Sequence, residues 1–183
     1  MAQALKRRVP KTRRERNRGS ILSLLLVVVL LFGGTWYLSR VVLTGDWAWF
    51  QSSFDGQARQ ITVINRGQRT EIGRGDPRFE PLNAAFNESV SQGYRHAAMG
   101  FSEPTWDLVD RNGLLVELSY AEPVRLHGNF QPTTKMLLLI SGDLIHTTEV
   151  LFRYNETDWD PGPYRVSTVE PLKRELARFG FEQ

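Results

Sequence analysis

The stretch ILSLLLVVVLLFGGTWYL, residues 21–38, decides how the rest of the chain is read. It holds 18 residues without a charge, 12 of them Ile, Leu, Val or Phe. As a helix rising about 1.5 Å per residue it covers roughly 27 Å, close to the roughly 30 Å hydrocarbon core of a bilayer. At a few tenths of a kcal/mol per apolar side chain, insertion is favoured by about 5 kcal/mol before end corrections. Ile21, Leu24, Val28 and Leu31 give the segment its lipid-facing bulk, while Trp36 and Tyr37 fall where amphipathic rings prefer headgroups. Arg40 follows, within snorkelling reach of the phosphates. The run exceeds the apolar core of a usual cleaved leader and lacks a small-x-small site after it, so it reads as a retained anchor. Gly33 and Gly34 offer a place for a second helix to approach, and a homo-oligomer is compatible with them.

Upstream, residues 1–19 carry Lys6, Arg7, Arg8, Lys11, Arg13, Arg14, Arg16 and Arg18 against Glu15 alone, a net of 8 − 1 = +7. The remaining residues carry 15 basic and 19 acidic side chains, or −4, so the overall +3 conceals two regions of opposite sign. A basic flank stays on the cytoplasmic side, which predicts a type II, single-pass membrane protein with its C-terminal domain outside. The high pI therefore belongs to the tail. The tail has no interleaved aromatics for base stacking and the domain has no basic stripe, so nucleic acid is not the expected partner. The bilayer is the expected one, with a protein or envelope ligand for the domain.

The predicted organisation is a basic tail at 1–19, a transmembrane signal-anchor at 20–39, a juxtamembrane connector at 40–57 and an extracytoplasmic domain at 58–183. A hydrophobic content of 41% and an aromatic content of 11% suit one folded core of ordinary size. The absence of cysteine excludes disulfides, thiol nucleophiles and zinc-thiolate sites, and no cofactor motif is evident. In the connector, Trp47, Trp49, Phe50 and Phe54 suit either the headgroup layer or the start of the core.

The domain opens on a predicted hairpin, with Ile61 and Val63 in one strand, Asn65-Arg66-Gly67-Gln68 as the turn and residues 69–72 returning. Asp76 before Pro77 has the chemistry of a helix start, and Phe79, Leu82, Phe86 and Val90 form a stripe closed by Gly93. A short helical turn is expected around Trp106, Leu108 and Val109, then strands at 114–121, 135–140, within 144–154, and an edge strand at 165–169. Leu172, Leu176 and Phe179 mark a last helix ended by Gly180. The fold class is α+β: an N-terminal transmembrane helix followed by a mainly antiparallel sheet domain with two principal helices.

Chemistry-bearing residues are sparse. Asp143, His146 and Glu149 are spaced as metal ligands would be on a helix, but in a hairpin successive members alternate faces. Glu117 and Glu122 form a carboxylate pair whose spacing of five sends them to opposite faces of a continuous strand. Glu117, His127 and His146 are the residues to test for an anchored hydrolase or metal-dependent enzyme acting on envelope material. That reading stands second to a non-catalytic anchored domain that binds a protein or envelope ligand as an accessory or scaffold. Arg74-Gly75-Asp76 is an adhesion-type tripeptide that helix initiation already explains, and Asn87 and Asn155 begin glycosylation sequons.

Overall fold

A computed structural model describes residues 13–51, 53–97, 102–127, 131–142, 149–154 and 163–181, with the backbone alone at 13–20 and 44. It divides into two compact units, residues 1–45 and 46–183.

The first unit is one helix, α1, Arg13–Thr44. Within it Ile21–Leu43 is long and apolar enough to cross a membrane, and its apolar window is 0% buried. The Thr35 hydroxyl donates to the Leu31 carbonyl at 2.7 Å and the Ser39 hydroxyl to that of Trp36 at 2.8 Å, so these polar groups are satisfied within the helix itself. The helix extends past the expected end at Leu38 and stops where Gly45 takes φ +63° and donates its N–H to Val41 O at 2.8 Å. That is the left-handed cap a residue without Cβ adopts at little cost. Arg13, Arg14, Arg16 and Arg18 stand in its first turns; Lys6, Arg7, Arg8 and Lys11 lie outside the described residues.

Among the described residues, the second unit is a seven-stranded, wholly antiparallel sheet with three helices. In chain order they are β1 (Ala58–Asn65), β2 (Gln68–Gly73), α2 (Phe79–Ser91), β3 (Tyr94–His96), α3 (Glu103–Asn112), β4 (Leu114–Val124), β5 (Thr133–Ser141), β6 (Val150–Tyr154), β7 (Tyr164–Val166) and α4 (Glu170–Arg178). In space the strands run β2-β1-β4-β5-β6-β7-β3.

The opening hairpin forms as expected. Asn65 pairs with Gln68, and Arg66 and Gly67 both have positive φ, 51° and 78°, the two-residue turn whose twist matches the strands. At the head of α2 the Asp76 carboxylate accepts the Arg78 N–H at 2.9 Å, and Phe79 N–H donates to Asp76 O at 3.0 Å. The regular helix thus begins one tight turn after the predicted cap.

Three expectations need correction. The turn near Trp106 is a full helix, α3, of 10 residues. Strand β7 is interior, because the short β3, which has no apolar alternation to reveal it, pairs with it and takes the edge. Among the described residues the domain therefore has three helices where two principal ones were expected.

Alternation along the strands builds two dissimilar layers. Ile61, Val63, Ile72, Val116, Leu118, Met136, Leu138 and Leu151 face α2 and α4, whose Phe79, Leu82, Phe86, Val90, Leu172 and Leu176 complete the main core. Ile64, Leu115, Leu137, Leu139, Val150 and Phe152 face the opposite way, toward α3 and its Val109. The first side is sealed by two helices that also pack on each other. Among the described residues, one short helix covers the second.

A polar row on α2 fixes the chain entering the sheet. Asn83 Oδ1 accepts Ala58 N–H at 3.2 Å, Asn87 Nδ2 donates to Gly56 O at 3.1 Å, and Ser91 Oγ accepts Phe54 N–H at 2.7 Å. The i, i+4, i+8 spacing aligns these side chains on one helix face, where they satisfy backbone groups of the chain that leads into the irregular start of β1. Phe54 is consequently buried in the main core, edge-on to Tyr120 at 6.4 Å.

Candidate functional site

Because α3 buries only Val109, a groove of about 470 Å³ remains between it and the sheet. Its floor is Ile64, Leu115 and Leu137, contributed by the same alternation that sends Val116 and Leu118 to the main core. The volume falls in the roughly 300–1,000 Å³ range of small-molecule and side-chain pockets.

The rims are polar. On one side Arg69 Nη2 of β2 meets Asp110 Oδ1 of α3 at 3.4 Å, with Asp107 beside it. On the other, Glu117 of β4, Lys135 of β5 and Tyr154 of β6 converge across three adjacent strands. Lys135 Nζ stands 3.9 Å from Glu117 Oε1 and 5.5 Å from the Tyr154 ring centroid. Burial, and then the hydrogen bond to Glu117, push the Tyr154 hydroxyl far above the ordinary phenol range, so it stays protonated and donates. Trp106 packs at 4.7 Å against Phe152 and forms part of the wall. The groove thus combines an apolar floor, one aromatic wall and charges already neutralised in pairs. Such a surface accepts an amphipathic guest without leaving a bare charge buried.

Among the described residues, Glu117 is the one sequence-derived candidate that lines this groove, and its neighbours there are Lys135 and Tyr154. Glu122 is exposed, in the irregular part of β4 between Ser119 and Val124, beside Pro123. His127 lies elsewhere, past the irregular stretch and the end of β4. Its Nδ1 stands 2.8 Å from Asp46 Oδ2, and its carbonyl accepts the Tyr94 hydroxyl. His146 and Asp143 lie outside the described residues. Glu149 is half-buried with φ +65°; its N–H donates to Leu139 O and its carbonyl accepts Val166 N–H, both at 2.9 Å. Among the described residues no group of three or more His, Asp or Glu side chains is placed to hold a metal.

A second polar cluster surrounds Arg153, which β6 alternation turns toward the main core. It is 3% exposed; its Nη1 donates to Gln131 O at 3.0 Å and its guanidinium lies 4.9 Å from the Tyr164 ring centroid. Burial lowers its pKa, opposed by the tyrosine partners. Tyr94, edge-on to Tyr164 at 5.9 Å, is pushed up to about 12 by burial and then by Tyr164 and Asp46. These groups tie β3, β6 and β7 together.

The adhesion-type tripeptide is used internally. Arg74 donates to Ala58 O through Nε and Nη2 at 3.2 and 3.1 Å, and Asp76 holds Arg78 at 2.6 Å. The Asn87 amide is 8% exposed and bonded to Gly56, a poor position for a glycan; Asn155 lies outside the described residues.

Sequence reading identified Glu117 but not Arg69, Trp106, Lys135 or Tyr154. A signal was present: neighbouring strands each place one charge in an otherwise apolar register, Glu117 after Leu115 and Lys135 before Leu137. Comparison of the chain with protein-family models, with curated proteins and with solved structures finds no match.

Proposed function

We propose that this is a membrane-anchored binding protein. In this reading α1 crosses the bilayer with the basic tail in the cytoplasm. The sheet domain is displayed on the other side and takes a protein or envelope ligand in the groove beneath α3. The observation that carries the reading is the asymmetry of the sheet, one face sealed and the other left with an apolar floor between paired charges. A binding role is favoured over hydrolysis because Glu117 is engaged by Lys135 and Tyr154, while His127 lies at the far end of β4. Free, convergent acid and base groups are what hydrolysis needs.

The test is purification of the full chain from its native membrane in mild detergent. Lys135→Gln and Asp107→Lys, both on the rims, should each release material that accompanies the wild type, while near-ultraviolet circular dichroism shows the fold retained. Arg174→Glu on α4, outside the groove, should retain it. A wild type that purifies alone, or groove variants that keep their companion, would sink the proposal. Orientation is read separately. A cysteine introduced at Leu108 should react with an impermeant maleimide on intact cells, and protection there would reverse the topology.

A further inference from the structure

Outside α1, the described residues expose only three large hydrophobic side chains: Trp47 at 68%, Phe50 at 61% and Leu108 at 41%. Two of the three fall within six residues of the last residue of α1. Scattered single exposures are ordinary, but a pair of aromatics beside a candidate membrane span has a specific chemical meaning, since Trp and other amphipathic rings concentrate at headgroup depth.

Chain length sets the depth. Ile21–Leu43 is 23 residues, about 35 Å of helix. This exceeds a roughly 30 Å hydrocarbon core but not the roughly 40–45 Å that includes headgroups. With the core entered at Ile21, the helix ends inside the headgroup layer. Trp47 follows Thr44 by three residues, at most about 11 Å even if fully extended. The chain is not extended there. Asp46 Oδ1 accepts Ala48 N–H at 2.8 Å and Gln51 N–H donates to Ala48 O at 2.7 Å, so residues 46–51 form a turn. Trp49 packs edge-on to Phe50 at 6.0 Å within it. Phe54, by contrast, goes into the main core. The four connector aromatics therefore divide: Phe54 joins the core, Trp49 is half-buried, and Trp47 and Phe50 are exposed.

We infer that the turn at residues 46–51 is an interfacial membrane contact, with Trp47 and Phe50 seated among lipid headgroups on the side where the domain lies. This rests on α1 crossing the bilayer. The contact would hold the start of the domain, residues 46–51, at the membrane surface.

The chain has no cysteine, which makes site-specific labelling clean. The full chain is reconstituted in phosphatidylcholine vesicles with a nitroxide on Trp47→Cys, Phe50→Cys, Leu108→Cys or Val29→Cys, each made singly. Collisions with oxygen, which partitions into lipid, are compared with those of a water-soluble nickel chelate. Oxygen should dominate several-fold at Val29 and still prevail at 47 and 50, while nickel should prevail at Leu108. Trp47 and Phe50 are exposed, so these replacements leave the core intact. Nickel dominance at 47 and 50 with Val29 in lipid overturns the inference alone. Shielding of both labels from both reagents also overturns it and points to a protein contact. Nickel dominance at Val29 overturns the anchor and the inference together.

Discussion

The two faces of one sheet, built from the same strands, are finished differently. Toward α2 and α4, Leu118 and Phe86 are both 0% exposed. Toward α3, Leu137 retains 6% exposure and lines a groove. Both faces take aliphatic residues from alternate positions of β4 and β5, so the difference does not come from strand composition. It comes from the covering helices. Helix α2 buries eight side chains and α4 three, whereas α3 buries one. A face covered so sparingly contributes less stability and keeps apolar surface available to a guest.

The largest test of this contrast is a pair of truncations. Leu118→Ala on the sealed face should cost about 4 kcal/mol and Leu137→Ala on the grooved face about 2, opposite ends of the usual range for buried leucine. Urea unfolding of the two variants measures the difference, and equal losses would dissolve the distinction. Next comes Gly56→Ala. A methyl group there would stand 2.5 Å from the Phe54 ring and 2.9 Å from Tyr120, at the margin of the sealed face. Overpacking of about 1–3 kcal/mol is expected, readable in the same experiment; a neutral result would mean that this margin yields as easily as the groove.

The smallest effect concerns the helix starts. Arg78 beside Asp76, through its side-chain and then its backbone hydrogen bond, lowers that carboxyl from 3.8 to about 2. The folded pKa lies below the unfolded one, so the contribution is fully present above about pH 4 and is lost as pH falls toward 2. Hydrogen exchange should show α2 amides losing protection over that window in the wild type. Asp76→Asn should flatten the dependence, and α3 should be unaffected in both proteins. An identical pH response in α3 would show that the effect is global and not seated at α2.

How much of this was visible in the sequence depended on whether the signal was local. The hairpin was readable because Asn65-Arg66-Gly67-Gln68 carries its own turn chemistry, and α2 and α4 because Phe79, Leu82, Phe86, Val90, Leu172 and Leu176 recur at helical spacing. Strand β3 was missed because Tyr94, Arg95 and His96 become a strand only through pairing with β7. Helix α3 was read as a bare turn because an amphipathic stripe that buries Val109 alone is faint. The Asn83, Asn87 and Ser91 row escaped a search for apolar periodicity, although its spacing is as regular as any stripe. Glu117 stands near Glu122 in sequence, but its site is assembled from five strands and one helix that no short window spans.

The order of the strands bears on how the chain matures. Helix α2 leaves β2 at one margin of the sheet and delivers the chain to β3 at the other, so β3 is synthesised long before its partner: Tyr94 pairs with Val166, 72 residues later. At about 5–20 residues per second, that interval lasts roughly 4–14 s. Throughout it the α2 stripe also lacks α4, and a nascent chain halted before residue 164 presents an apolar ledge to any chaperone or protease within reach. Strand β7 and helix α4 thus complete two unfinished surfaces at once, the free edge of β3 and the apolar stripe of α2.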